Sequence, residues 1–136
     1  MSGYKKKAKQ FLEQIGATVS IRFKERGPVD GWGDHAEHNT YSVLVRRNGK
    51  GWTYDFHDSI HNTERGLTPT AYDVLSCVEQ YDPGTIDDFV REFGYEVHCW
   101  DDVRRIERIY AAVKEEAANF QRLFGDVADE FAEVFA

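Results

Sequence analysis

Cysteine is scarce: Cys77 and Cys99 are the whole complement, and neither belongs to a CxxC pair or lies near an obvious base. A secreted domain of this size would be expected to carry a denser disulfide framework. The expectation is therefore a reduced chain in which both thiols are small buried groups. Long apolar runs are missing as well. No stretch approaches the roughly 18 residues that mark a membrane-spanning helix, and no apolar segment follows the basic MSGYKKKAKQ to make a signal peptide. These absences point to the cytoplasm. Catalytic signatures are lacking too: there is no P-loop, GxGxxG, GxSxG or HExxH, and no Cys beside a His–Asn pattern. Adjacent carboxylates do occur, but 24 acids in 136 residues produce them by chance. The chain reads as non-enzymatic, with no cofactor.

What the sequence does have is charge, divided unevenly. Residues 1–26 carry seven Lys/Arg against two acids, a balance of +5, and residues 27–136 carry ten against 22, a balance of −12. A body this acidic repels a phosphate backbone and attracts a protein surface that normally grips one. With 41% hydrophobic and 14% aromatic residues, the acidity is mounted on a globular body and is not a disordered solvating tail. Its length suits one core, and no repeat or linker divides it, so the expectation is a single domain over 1–136.

The expected fold class is α+β: an N-terminal helix, a three-stranded antiparallel sheet, then a helical C-terminal half packed on one face, the change falling between residues 67 and 68. Tyr4, Ala8, Phe11, Leu12 and Ile15 recur at helical spacing, with Gly16 placed to stop the helix. Thr18–Lys24 alternates like a half-buried strand, with Val19, Ile21 and Phe23 toward the core. Residues 27–39 read as loop. Tyr41, Val43 and Val45 alternate into Asn48-Gly49, and Trp52, Tyr54 and Phe56 alternate out, a hairpin signal. From Thr68-Pro69-Thr70 the period turns helical, with Ala71, Val74, Leu75 and Val78 as the buried stripe. Thr85 is read as the cap of a helix through Ile86, Phe89, Val90 and Phe93, with Asp87 and Asp88 in its first turn and Gly94 at its end. Asp101 or Asp102 is expected to cap the last helix. Its seam runs Val103, Ile106, Tyr110, Val113, Ala117, Phe120, Phe124, Val127, Phe131, Val134 at alternating spacings of three and four. Unbroken, it would reach roughly 50 Å. Either it breaks at Gly125-Asp126, leaving about 22 residues and a short second helix, or it protrudes and serves as a homodimer face.

Two constellations invite other readings. His35, His38, His57 and His61 have usable ligand spacing, but neither pair sits on a convincing helix, so they are read as solvated. Lys5, Lys6, Lys7, Lys9, Arg22, Lys24 and Arg26 could form a nucleic-acid arm, which the acidic remainder opposes. Trp32, in a Gly-rich loop between acids, is the candidate interface anchor; Trp52 is read as core.

Pro69-Thr70-Ala71-Tyr72-Asp73-Val74-Leu75, Tyr81-Asp82-Pro83-Gly84-Thr85-Ile86-Asp87-Asp88-Phe89 and Glu92-Phe93-Gly94-Tyr95 resemble a group of small bacteriophage and prophage proteins, and the likeness extends to Ile109-Tyr110 and Leu123-Phe124. The resemblance implies an origin in a mobile element acting in a bacterial host, and it supplies no catalytic residues. A small acidic phage protein of this kind is similar in style to anti-CRISPR inhibitors, many of which bind stoichiometrically and some of which present carboxylates where phosphates would lie. The expected partner is accordingly a protein with a basic surface, a CRISPR-Cas effector. Its expected contacts are Asp30, Trp32, Asp34, Glu37, Asp55, Asp58, Glu64, Asp82, Asp87, Asp88, Glu92 and Glu96, with Glu115 and Glu116 behind them. The alternatives are a DNA-associated phage accessory protein using the basic helix and a His-rich metal-binding protein.

Overall fold

Asn48 and Gly49 both adopt positive φ, 53° and 75°, as a two-residue type I′ hairpin turn requires. The computed structural model describes residues 3–28, 37–60, 67–78 and 80–135. The turn joins β2 (Glu37–Arg47) to β3 (Lys50–Ser59), and β1 (Thr18–Pro28) pairs with the other edge of β2, so the three antiparallel strands lie in the order β1-β2-β3. Helix α1 (Gly3–Gln14) precedes the sheet. After it come α2 (Ala71–Ser76), α3 (Ile86–Phe93), α4 (Trp100–Phe124), a 3₁₀ turn at Gly125–Val127, and α5 (Ala128–Phe135). The α+β class is as expected, and none of the described helices is long and apolar enough to cross a membrane.

The chain gathers into two compact units, Met1–Cys77 with Val127–Ala136, and Val78–Asp126. The first therefore contains the sheet together with α1, α2 and α5. Its central strand buries Tyr41, Val43 and Val45, and Trp52 is buried on β3. Alternation along β2 puts these residues on one face, with Ser42, Leu44 and Arg46 on the other. Tyr54 Oη donates to the Val74 carbonyl at 3.0 Å, tying β3 to α2. Phe11 of α1 meets Phe131 and Phe135 of α5 at centroid distances of 6.4 and 6.2 Å, both edge-on. Phe135 also stacks on Tyr72 at 6.0 Å.

Phe23 departs from the expected pattern: it is 54% exposed. β1 is an edge strand, and its register against β2 shifts between Phe23 and Glu25. The ring at that bulge leans edge-on against Tyr41, centroids 5.7 Å apart, and is not buried under the sheet. β1 also runs four residues beyond the expected Lys24, and β2 begins at Glu37, inside the stretch read as loop.

In the second unit, Thr85 caps α3 through a capping box with Asp88, and Gly94 ends it in the left-handed conformation at φ 66°. Phe89 is buried against the rings of Tyr95 and Tyr110, at 5.5 and 5.6 Å. Asp82 Oδ1 accepts from Lys114 Nζ at 2.8 Å and from the Gly84 N–H at 2.9 Å, and Tyr110 Oη donates to the Gly84 carbonyl, so the 82–85 turn is pinned to α4. The cap of α4 is not Asp101 or Asp102 but Cys99, which makes no side-chain cap bond; Asp102 instead accepts from the His98 N–H at 2.9 Å. α4 spans 25 residues, and the helix tightens to 3₁₀ at Gly125 without a left-handed turn. Every one of the ten seam positions is buried or half-buried.

Both cysteines are exposed, against the expectation of burial. They sit at helix ends: Cys77 closes α2, with its thiol donating to the Val74 carbonyl at 3.2 Å, and Cys99 opens α4.

Candidate functional site

The two units divide the charge differently from the split at residue 26. Val78–Asp126 carries six Lys/Arg against twelve Asp/Glu, a balance of −6, whereas the sheet unit carries eleven against twelve, a balance of −1. The acidity of the chain is thus concentrated in 49 residues built on α3 and α4. In a unit this small no charge lies far from solvent, and such a field steers cationic partners.

The same unit exposes apolar surface, although Phe93 also leans on the Phe89 ring at 5.0 Å. Phe93, Val97 and Trp100 are 54%, 51% and 76% exposed, and all three fall within eight consecutive residues. Trp100 is the most exposed large apolar side chain described. Carboxylates surround this run in sequence: Glu92, Glu96, Asp101 and Asp102. The connector carrying it is held at both ends, by the Tyr95 N–H on the Val90 carbonyl at 3.3 Å and by the His98 N–H on Asp102. Beside it, Tyr95, Glu96, Asp102, Arg105 and Ile106 line a groove of about 230 Å³. An exposed Trp with an acidic rim is the composition of an interface anchor.

The expected contact residues divide into three groups. Asp30, Trp32, Asp34 and Glu64 lie outside the described residues, as do His35 and His61. In the sheet unit, Glu37 is paired with Arg26 at 3.2 Å, Asp55 with Lys24 at 3.0 Å, and Asp58 accepts from the Ser59 N–H at 3.0 Å. The structure gathers Asp82, Asp87, Asp88, Glu92 and Glu96 in the helical unit. Asp82 and Asp88 are already matched by Lys114 and Arg91. Glu92 accepts from the neutral Tyr81 hydroxyl at 2.7 Å, which raises the Tyr81 pKa and leaves the carboxylate charge uncancelled. Among the described residues Glu96 pairs only with His98, which is charged only when protonated. Asp87 has no partner among the described residues. Of the expected contact acids in this unit, Asp87, Glu92 and Glu96 are therefore the ones not paired with Lys or Arg among the described residues.

Phe93 belongs to the helix through Ile86, Phe89 and Val90 as expected, but it is the last residue of α3 and its ring is half exposed. Trp100 escaped the sequence reading. Extending the seam back one step from Val103 reaches Cys99, so Trp100 is off the buried register. A large ring off the seam and between acids was the available signal.

The helix ends of this unit depend on ionised carboxylates. The Lys114 ammonium and the Gly84 N–H hold Asp82 below the usual carboxylate range, the hydroxyl and N–H of Thr85 do the same for Asp88, and the His98 N–H for Asp102. A folded-state pKa below the unfolded one gives stability that is complete above the unfolded value and lost as pH falls through the folded one. Helical circular dichroism is expected to hold from neutral pH down to about pH 5 and to fall below about pH 4. An Asp88→Asn/Asp102→Asn variant should show a shallower acid limb, and an unchanged limb would count against these carboxylates.

The basic arm is partly spent on internal pairs. Lys5 reaches Asp73 at 3.6 Å, and Lys24 and Arg26 are paired as above. Lys6, Lys7, Lys9 and Arg22 have no such partner among the described residues. Of the histidines, His57 Nδ1 lies 2.9 Å from Thr40 Oγ1, and burial lowers its pKa. Among the described residues, no group of three His, Cys, Asp or Glu is placed to hold a metal ion. No family model, curated protein or solved structure matches the chain.

Proposed function

We propose that this protein is a non-catalytic, acidic binding protein that occupies the nucleic-acid-binding surface of a basic protein partner in a bacterial host. A CRISPR-Cas effector is the partner we place first. The observation that carries the reading is the coincidence, in one small helical unit, of a −6 balance with the exposed run Phe93–Trp100. Asp87, Glu92 and Glu96 supply charge that attracts a surface evolved to hold phosphates, and Trp100, Phe93 and Val97 supply apolar area that ordinary electrostatic attraction does not. The naming of the effector class rests on the resemblance to phage proteins and on the style of acidic inhibitors.

The test is a pull-down with the tagged full-length protein against purified CRISPR effector complexes, with and without loaded target DNA, at low and high salt. The expected result is capture that DNA prevents and that weakens by roughly tenfold or more between the two salts. An Asp87→Lys/Glu92→Lys/Glu96→Lys variant should lose capture while keeping its helical spectrum. Capture indifferent to DNA and to the triple reversal would overturn the reading, as would failure to capture any effector.

A further inference from the structure

The apolar seam of α4 is spent inside the protein, since all of its positions there are buried or half-buried. Two positions ahead of each seam residue runs a second stripe, on the opposite side of the helix. Arg104, Arg108, Ala111, Glu115, Ala118 and Arg122 follow it at alternating spacings of four and three, and all six are exposed.

Charges on a solvated helix are normally answered three or four positions away. Arg104 is answered by Asp101 at 3.6 Å in this way, and Arg91 by Asp88 at 3.0 Å. Arg108 and Glu115 are not. At those spacings Arg108 meets only Arg104, Arg105, Ala111 and Ala112, and Glu115 meets only Ala111, Ala112, Ala118 and Asn119 within the helix. Neither side chain has an ion-pair or hydrogen-bond partner among the described residues. About 10 Å apart along the axis, they are too distant to pair with each other. The exposed residues between them are Ala111 and Ala112 alone, so the middle of the stripe carries nothing larger than a methyl group.

The midpoint of the interval from Arg108 to Glu115 falls between these two alanines. A two-fold axis there, with a second α4 running antiparallel, sets Arg108 opposite the second copy's Glu115 and Glu115 opposite its Arg108. The same axis sets Asp101 opposite the second copy's Arg122, whose guanidinium also donates to Asn119 at 2.9 Å. Arg104 falls opposite the neutral Asn119, so no like charges meet along the stripe. One symmetry operation thus yields four complementary pairs, as an interface made of the same patch twice requires. Alanine at the axis lets the two backbones approach to the short end of the roughly 8–10 Å range of packed helices.

We propose that the outer face of α4 binds a second copy of this chain as an antiparallel, two-fold helix pair. The occupant is a second copy because the charges of the stripe complement themselves under that axis. The contact uses none of Asp87, Glu92, Glu96, Phe93, Val97 and Trp100, so this proposal and the proposed function can fail separately. One helix pair is a small interface beside the roughly 1,200–2,000 Å² of stable complexes, and its ion pairs are exposed, so a Kd of about 10–100 μM is expected.

Sedimentation equilibrium of the full chain from about 5 to 500 μM should show a reversible monomer and dimer. Arg108→Glu should weaken the dimer roughly tenfold or more, because both symmetry-related contacts turn repulsive, and Glu115→Arg should do the same. Arg108→Glu/Glu115→Arg restores opposite charges across the axis and should return the Kd to within about threefold of wild type. Its recovery also separates a lost contact from a lost fold, since it carries both substitutions. Lys7→Glu, the same kind of charge reversal on α1, should stay within about twofold of wild type. A monomer at every concentration would overturn the proposal. So would a dimer indifferent to Arg108→Glu, or a double variant no tighter than the single ones.

Discussion

In the proposed complex, Trp100→Ala is expected to weaken partner binding by roughly 30-fold or more, the loss of about 2 kcal/mol or above that removal of a central interface Trp produces. The expectation follows from where the ring is. At 76% exposure it adds little to the packing of its own unit, and Cys99, not Trp100, occupies the register that leads into the α4 seam. The thermal midpoint of Trp100→Ala should therefore stay close to that of wild type while its affinity collapses. Titration calorimetry against the captured effector, beside a thermal melt, separates the two. Burial of the ring on binding should also shift its fluorescence to shorter wavelength. An affinity within about twofold of wild type would show that charge alone holds the complex.

Phe131→Ala destabilises the sheet unit by about 3–5 kcal/mol, a large part of the roughly 5–15 kcal/mol that a domain has. Phe131 is fully buried, stacked on Phe135 at 4.4 Å and edge-on to Phe11. Truncation would remove the ring that both contact, and the neighbouring rings are too rigid to collapse fully into the gap. Urea unfolding followed by the fluorescence of Trp52, which is buried in the same unit, should show a midpoint displaced strongly to lower urea. A loss below about 1 kcal/mol would mean that the Phe11–Phe131–Phe135 cluster closes over the gap.

Local chemistry was legible where it is decided locally. Asn48-Gly49 announces its turn because both residues tolerate positive φ, and Thr85 with Asp88 announces a helix start because the capping box needs only four residues. Misreadings arose where tertiary context decides. Phe23 alternates correctly but lies at a bulge on an edge strand; Cys77 and Cys99 are apolar by type but terminate helices. The candidate surface was half legible. Its acids could be counted from sequence, but which of them are cancelled depends on partners such as Lys114, 32 positions from Asp82. Its aromatic anchor was sought in the Gly-rich loop at Trp32, while among the described large apolar residues Trp100 has the greatest exposure.

The sheet unit is discontinuous: its last helix, α5, returns after the 49 residues of the helical unit. Phe11 and Phe131, which touch, are 120 positions apart. During synthesis, then, α1 and the sheet leave the ribosome well before the ring that completes their core exists. The helical unit lies wholly between them in the chain, so all of it is made before α5. Phe11 of α1 and Tyr72 of α2 therefore lack the rings they pack against until residues beyond Val127 emerge.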